Sequence, residues 1–288
     1  MIREIKSPLW AFDLEWAPDP RAGRRLYGLS ETMTDVEVVG EMWKRGGATE
    51  ENPTPFLKLI LCRVVSIAAV QRTARKDGPP DLKLLWLPRD ANDAAQCEER
   101  AIVGRFLDAI GRNRPQLVGY NSQGSDIRIL VQRAVVGGLS SPDFCKRPGK
   151  PWEGVDYFAR ESEWHLDLMQ LLCGWGRADG KSHSTLNEAA LLSGIPGKFE
   201  ADGMDVAQLW LTGRRREIVE YNCFDALTTY LLWARMAHFA GLLTDAAYEA
   251  EQDALKDYLL ELVEKPETAF LERFLDEWDR LQSDDARP

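Results

Sequence analysis

The sequence predicts an α/β protein with a mixed β-sheet, on three observations. Residues 9–16 place apolar side chains at 10, 12, 14 and 16, the period of two that marks a half-buried strand. Two β-branched, apolar runs follow at 59–71 and 82–87, separated by a turn around Asp77-Gly78-Pro79-Pro80. From 94 onward the chain reads as helices, broken by one short strand at 116–121. The regular βαβα rhythm of a dinucleotide-binding domain is missing, as are a Gly-x-Gly-x-x-Gly motif and a P-loop.

Taken in order, the opening strand buries Trp10, Phe12, Leu14 and Trp16 and leaves Asp13 and Glu15 side by side on its other face. Two acids so placed repel each other, and a hard divalent cation between them is the economical remedy. Residues 17–56, rich in Pro, Gly and charge, read as an irregular insertion with a short helix near 34–43. The run 59–71 is expected to be a central strand, and 82–87 a third. Asn92 or Asp93 is placed to cap a helix over 94–113, with Ile102, Phe106, Leu107 and Ile110 on one face.

A strand ending at Asn121 then turns through Ser-Gln-Gly-Ser into a helix opening at Asp126. Residues 140–163 are irregular, 165–173 form an apolar segment holding Asp167, and short helices are expected at 185–193 and 203–211. A long helix covers about 215–238 and carries Tyr221 and Asp225 four positions apart, on one face. Two amphipathic helices, about 245–264 and 267–282, close the chain.

The 288 residues suffice for one large core, or one core with a small appendage. With 44% hydrophobic and 28% charged residues the composition is that of a soluble globular protein. No uncharged apolar run reaches the length of a membrane span, and the first residues lack a signal-peptide pattern. Five cysteines, an odd number without a Cys-x-x-Cys pair, and three histidines argue against a disulfide framework or zinc site. They fit a reducing, cytoplasmic location. The net charge of −10 resides in residues 245–285, with 14 acids and 4 bases; the remainder is neutral. Within that remainder lie basic clusters able to meet phosphates: Arg21/Arg24/Arg25, Arg72/Arg75/Lys76, Lys146/Arg147/Lys150 and Arg214/Arg215/Arg216.

Asp13-x-Glu15, then Tyr120-Asn121 with Asp126, then Tyr221-Asn222-x-x-Asp225, together resemble the DEDD superfamily of 3′–5′ exonucleases, tyrosine subtype. The likeness is to the proofreading domain of family B DNA polymerases and to related stand-alone predicted exonucleases. It spans about residues 8–240, including the His165-Leu-Asp167 stretch and Gly197-Lys198. Ser125 departs from the family's usual Phe and is expected to affect packing or the substrate wall rather than metal binding.

The resemblance implies a ribonuclease-H-like sheet flanked by helices, with an exonuclease domain over 1–241 and an acidic helical extension over 242–288 that packs on or projects from it. It also implies hydrolysis of single-stranded DNA from the 3′ end with two Mg²⁺ or Mn²⁺ ions, releasing nucleoside 5′-monophosphates. Asp13, Glu15, Asp126 and Asp225 are the implied ligands: Asp13 bridges, Glu15 and Asp225 complete the nucleophile-side ion, and Asp126 holds the second. A tyrosine hydroxyl titrates near ~10, so Tyr221 orients the attacking water rather than acting as base.

Asn121, Trp16, Leu14 and Lys198 are the expected substrate contacts, with the 17–56 insertion and the 140–163 loop as groove walls. An RNA 3′ exonuclease or a non-catalytic nucleic-acid-binding scaffold on the same fold are the alternatives. No polymerase motif follows, so proofreading would need a separate polymerase or repair partner.

Overall fold

The computed structural model describes residues 1–174, 183–197, 199 and 205–285. At its centre lies a five-stranded sheet in the order β3-β2-β1-β4-β5. The strands are β1 (Leu9–Pro18), β2 (Cys62–Thr73), β3 (Asp81–Leu87), β4 (Gln116–Gly119) and β5 (His165–Asp167). β2 alone runs against the others: it is antiparallel to β1 and β3, whereas β1 pairs in parallel with β4, and β4 with β5. This is the mixed sheet expected, in a ribonuclease-H-like arrangement. Eleven helices accompany it among the described residues: α1 (Pro20–Tyr27), α2 (Asp35–Arg45), α3 (Glu99–Asn113), α4 (Asp126–Val136), α5 (Pro142–Cys145), α6 (Leu168–Cys173), α7 (Leu186–Leu191), α8 (Val206–Leu211), α9 (Arg215–Phe239), α10 (Asp245–Val263) and α11 (Glu272–Asp285).

The sheet is covered on both faces. Trp10, Phe12 and Leu14 of β1 join Cys62, Val64 and Ile67 of β2 under α3 and α4. Leu9 and Ala11, with Ala68 and Val70, lie on the opposite face under α9. β1 is therefore buried on both sides rather than half-buried. Its alternation reads as amphipathic only because Asp13 and Glu15 occupy the second face, beside α9.

Three local expectations are corrected. The strand expected at 59–71 starts at Cys62, after a 3-10 turn over Leu59–Leu61. The helix expected from 94 starts at Glu99, because the Asp93 carboxylate accepts from the Ala95 N–H at 2.9 Å and closes a turn instead. The 17–56 insertion holds the short helix expected near 34–43, as α2, but it is less irregular than expected, since α1 precedes it. Its helices α1 and α2 pack on a small core of Val38, Val39, Met42 and Leu61. Thr34 and Glu37 cap α2 reciprocally, a capping box. Gly23 permits the close approach of the two helices, since a Cβ there would lie 2.5 Å from Met42 Sδ. The insertion is tied to the sheet by Arg133 of α4, buried, whose Nη2 donates to Asp19 and Glu99 at 2.6 Å each. Glu99 also accepts from the Val64 N–H at 2.8 Å.

The C-terminal helices bury Leu255, Leu259 and Leu262 of α10 and Phe274, Leu275 and Trp278 of α11 in the same core as α9. Arg72, read from sequence as part of a surface basic cluster, is buried here and pairs with buried Glu251 of α10. Its Nε donates to both Glu251 oxygens, at 2.9 and 3.1 Å, and the Tyr230 hydroxyl donates to the same carboxylate. Tyr258 Oη accepts from the Leu84 N–H at 2.8 Å, which occupies a backbone donor of edge strand β3. No helix among the described residues is long and apolar enough to cross a membrane.

Removing one partner of a buried ion pair leaves the other charge uncompensated. Glu251→Ala is accordingly expected to destabilise the fold by about 3–5 kcal/mol, read from urea unfolding. A loss below about 1 kcal/mol, the level of an exposed pair, would show that the pair does not anchor α10.

Candidate active site

The site forms where the C-terminal half of β1 meets α9. A β-bulge shifts the register between Glu15 and Trp16, just past the two acids. Carboxylate oxygens of Asp13, Glu15 and Asp225 all lie within 4.8 Å of one another, each residue partly exposed. Asp126, at the start of α4, is outside this trio and is buried. Its Oδ2 accepts from the Ser125 hydroxyl at 2.7 Å, while its Oδ1 is buried without a hydrogen-bond partner. Ser125 thus bonds directly to a predicted metal ligand, which corrects the expectation that this position would matter for packing or the substrate wall alone.

Holding Asp13 requires more than the strand. Asn222 of α9, fully buried, donates from Nδ2 to Asp13 Oδ2 at 2.8 Å. Its own Oδ1 accepts from the Ser66 hydroxyl of β2 at 3.0 Å. This chain of two hydrogen bonds orients one oxygen of Asp13 and fixes the register of α9 over the sheet. The sequence reading assigned Asn222 no role, although it stands inside the Tyr221-Asn222-x-x-Asp225 motif. Ser66 carried no signal; only its pairing opposite Glu15 brings it to the site.

The turn between β4 and α4 is clamped by β5. Asp167 accepts from the backbone N–H groups of Asn121 at 3.0 Å and Gln123 at 2.9 Å. His165 Nε2 pairs with the Ser122 hydroxyl at 2.8 Å; burial pushes this imidazole down to about 4, so it is neutral at pH 7, and with Nδ1 facing the Tyr157 carbonyl at 3.4 Å it is Nε2 that accepts. Asn121 adopts a left-handed backbone, φ 56°, and its carbonyl accepts from the N–H groups of Gly124 and Ser125. Gly124 leaves room for the Asn121 side chain, since a Cβ there would lie 2.4 Å from Asn121 Oδ1 and displace it. Asn121 therefore orders the turn, and Asp167 holds that turn rather than joining the trio.

A groove of about 620 Å³ runs past the acids, lined among others by Glu15, Trp16, Trp43, Phe56, Tyr221 and Asp225. The insertion supplies one wall, as expected; the other comes from residues near 185–187 and 205–209, not from the 140–163 loop. That loop sends Phe144, Val155 and Tyr157 into the core. Trp16 lines the groove but does not end its strand, which continues to Pro18. Leu14 is 2% exposed and packed in the core, so its side chain offers no surface to a substrate. Lys198 lies outside the described residues.

The electrostatics are those of crowded negative charge. Burial, followed by the charges of Asp126, Asp225 and Glu15, holds Asp13 well above the usual carboxylate range, against the Asn222 hydrogen bond. Burial pushes Asp126 up to about 7, opposed chiefly by the Ser125 hydroxyl. A carboxyl whose folded value lies above its unfolded value of ~3.9 favours folding most at low pH, and that contribution is lost as pH rises toward the folded value. In EDTA the melting temperature is expected to fall between about pH 4 and pH 7, more steeply in the wild type than in Asp126→Asn. Parallel profiles for the two proteins would show that Asp126 does not titrate in this range.

The family of predicted 3′–5′ exonucleases related to the exonuclease domain of PolB matches residues 54–278. The match takes in Asn121, Asp126, Tyr221 and Asp225, and runs through the two C-terminal helices to Trp278. It begins after Asp13 and Glu15, which the fold nonetheless brings to Asp225. A comparison with curated proteins found no match. With three-quarters of its length and its long motif helix inside that match, the chain belongs to the family of predicted PolB-related 3′–5′ exonucleases.

Proposed function

We propose that this exonuclease removes nucleotides from the 3′ end of single-stranded DNA in a divalent-metal-dependent hydrolysis. The observation that carries the reading is the meeting of Asp13, Glu15 and Asp225 within 4.8 Å, on a groove also lined by Tyr221. The donor set suits Mg²⁺ or Mn²⁺: it consists of carboxylate oxygens, with no cysteine or histidine in the trio. The unpartnered Oδ1 of buried Asp126 is a further oxygen in want of a cation. Asp13, Glu15 and Asp225 would hold one ion, and Asp126 with Asp13 a second. Bound there, the ions would supply Lewis-acid activation of water and stabilise charge on the phosphate and the leaving 3′ oxygen.

The protein's own groups then have separable tasks. Asn222 presents one Asp13 oxygen in a fixed direction. Tyr221 orients the attacking water by hydrogen bond and is not required to lose its proton. Water adds to phosphorus, and the P–O3′ bond breaks. The 3′ oxygen leaves with a proton, giving a nucleoside 5′-monophosphate and a strand one nucleotide shorter. Trp16, Trp43 and Phe56 offer apolar and aromatic surface to the terminal bases.

The test is digestion of 5′-labelled oligonucleotides with Mg²⁺ or Mn²⁺, DNA beside RNA. Stepwise shortening from the 3′ end is expected, faster on DNA, and lost in Asp13→Ala. Tyr221→Phe is expected to lower kcat about 10²-fold, the cost of one positioned catalytic hydrogen bond, with Mn²⁺ affinity by calorimetry unchanged. Shortening that persists in Asp13→Ala would exclude this site, and a strand that binds but is never shortened would leave the scaffold reading.

A further inference from the structure

Beside the groove lies a second cavity, of about 570 Å³, lined by Arg21, Arg24, Arg25, Arg63 and Trp210 with Glu31 and Asp35. Four guanidiniums against two carboxylates make this an electropositive wall in a chain of net charge −10. Arg24 is committed to the loop after α1, donating to Asp35 at 2.8 Å and to the Met33 carbonyl at 2.6 Å. Arg21 and Arg25 are exposed and form no ion pair among the described residues. Arg63 lies over the Trp210 ring, 5.3 Å from its centroid, and its buried Nε has no hydrogen-bond acceptor. Arg63 as a whole is only half-buried, and its side chain borders the cavity.

The cavity and the groove share a wall. Cys62 and Leu209 line the groove, and their chain neighbours Arg63 and Trp210 line the cavity; Pro18 and Pro20, on either side of Asp19, divide in the same way. Arg21, Arg24 and Arg25 belong to α1, so this wall is built largely by the 17–56 insertion.

We propose that this arginine pocket seats a backbone phosphodiester of the strand whose 3′ end occupies the groove, upstream of the bond being cut. Guanidinium forks match phosphate oxygens in pairs, and Arg63, resting over the Trp210 ring, is restrained before the strand arrives. Identifying the ligand as a strand rests on the exonuclease reading. The pocket's chemistry, recognition of a phosphate, does not.

Binding is read by fluorescence anisotropy of 5′-labelled oligothymidylates of increasing length, in EDTA so that nothing is cleaved. For the wild type, affinity should rise with length once the strand reaches the pocket. Arg21→Ala/Arg25→Ala, both at exposed positions, is expected to weaken binding of the long oligonucleotide about tenfold. The slope of log K against log salt should shrink by roughly 1.4, about 0.7 for each lost contact to a single strand. Arg63→Gln is expected to act in the same direction, and dinucleotide affinity should be the same in all three proteins. Unchanged affinity and salt slope at every length would overturn the proposal. So would calorimetric binding of inorganic phosphate that the double variant abolishes while long-strand affinity stays intact, since the pocket would then serve a free anion. Strand binding at the pocket by a wild type that never shortens the strand with Mg²⁺ or Mn²⁺ would support the pocket and refute the exonuclease reading.

Discussion

A carboxylate held between a central strand and a long apolar helix is the constraint from which the rest of the structure follows. Asp13 stands among three other acids, and both burial and their charge oppose its ionised form. Such a group persists only if the surrounding fold is stable without its help. Here that stability is supplied on the far face of β1 by Trp10, Phe12 and Leu14, packed against α3 and α4. On the near face it is supplied by α9, of whose 25 residues 16 are buried. Polar groups inside that interface are gathered into hydrogen-bonded networks, the Ser66–Asn222–Asp13 chain near the acids and the Arg72–Glu251–Tyr230 cluster toward the other end of β2.

The C-terminal helices extend the same logic. Phe224 precedes Asp225 in α9, and its ring packs against Phe270 at 5.7 Å and Phe274 at 5.9 Å. The segment after α10 therefore presses on the helix from behind, one residue away from an acid of the trio. At the other end of the sheet, Arg72 lies opposite Leu9 in the register, and it is there that Glu251 pins α10. The acidic exteriors of α10 and α11 would repel phosphate, whereas their apolar faces hold the site helix in place.

Much of this was legible in the sequence because it depends on short-range pattern. The mixed sheet and the long motif helix rest on period, spacing and order, whereas the meeting of Asp13 and Glu15 with Asp225 was implied by the likeness to the DEDD exonucleases. What was not legible depends on which residues the fold makes neighbours. Asn222 and Ser66 are 156 positions apart, and nothing local marks either as a support for Asp13. Asp167 reads as an acid in an apolar strand, and only the packing of β5 against the β4–α4 turn reveals it as a receiver of backbone N–H groups. Leu14 was misread for a simpler reason: neighbours in a strand face opposite sides, so a residue flanked by two site acids points into the core. Within the insertion, α2 falls where a short helix is expected, whereas the 8-residue α1, stabilised by its Asp19 cap and a small shared core, leaves little periodic signal.

Charge placement links the two halves of the molecule. A strand approaching the trio meets negative charge, and only a cation at the acids or positive groups along its path can offset that repulsion. The insertion places arginines on the wall next to the groove, and the same insertion is fastened to the sheet through Arg133, Asp19 and Glu99. Asp19 does double duty: it caps α1 by accepting from the Arg21 N–H at 3.1 Å and receives Arg133 through its other oxygen. One buried acid at the end of β1 thus fixes the direction in which α1 leaves the strand. The strand that carries Asp13 and Glu15 and the helix that carries Arg21, Arg24 and Arg25 are consecutive in sequence and joined through buried Asp19, so the distance from acids to arginines is set by the fold.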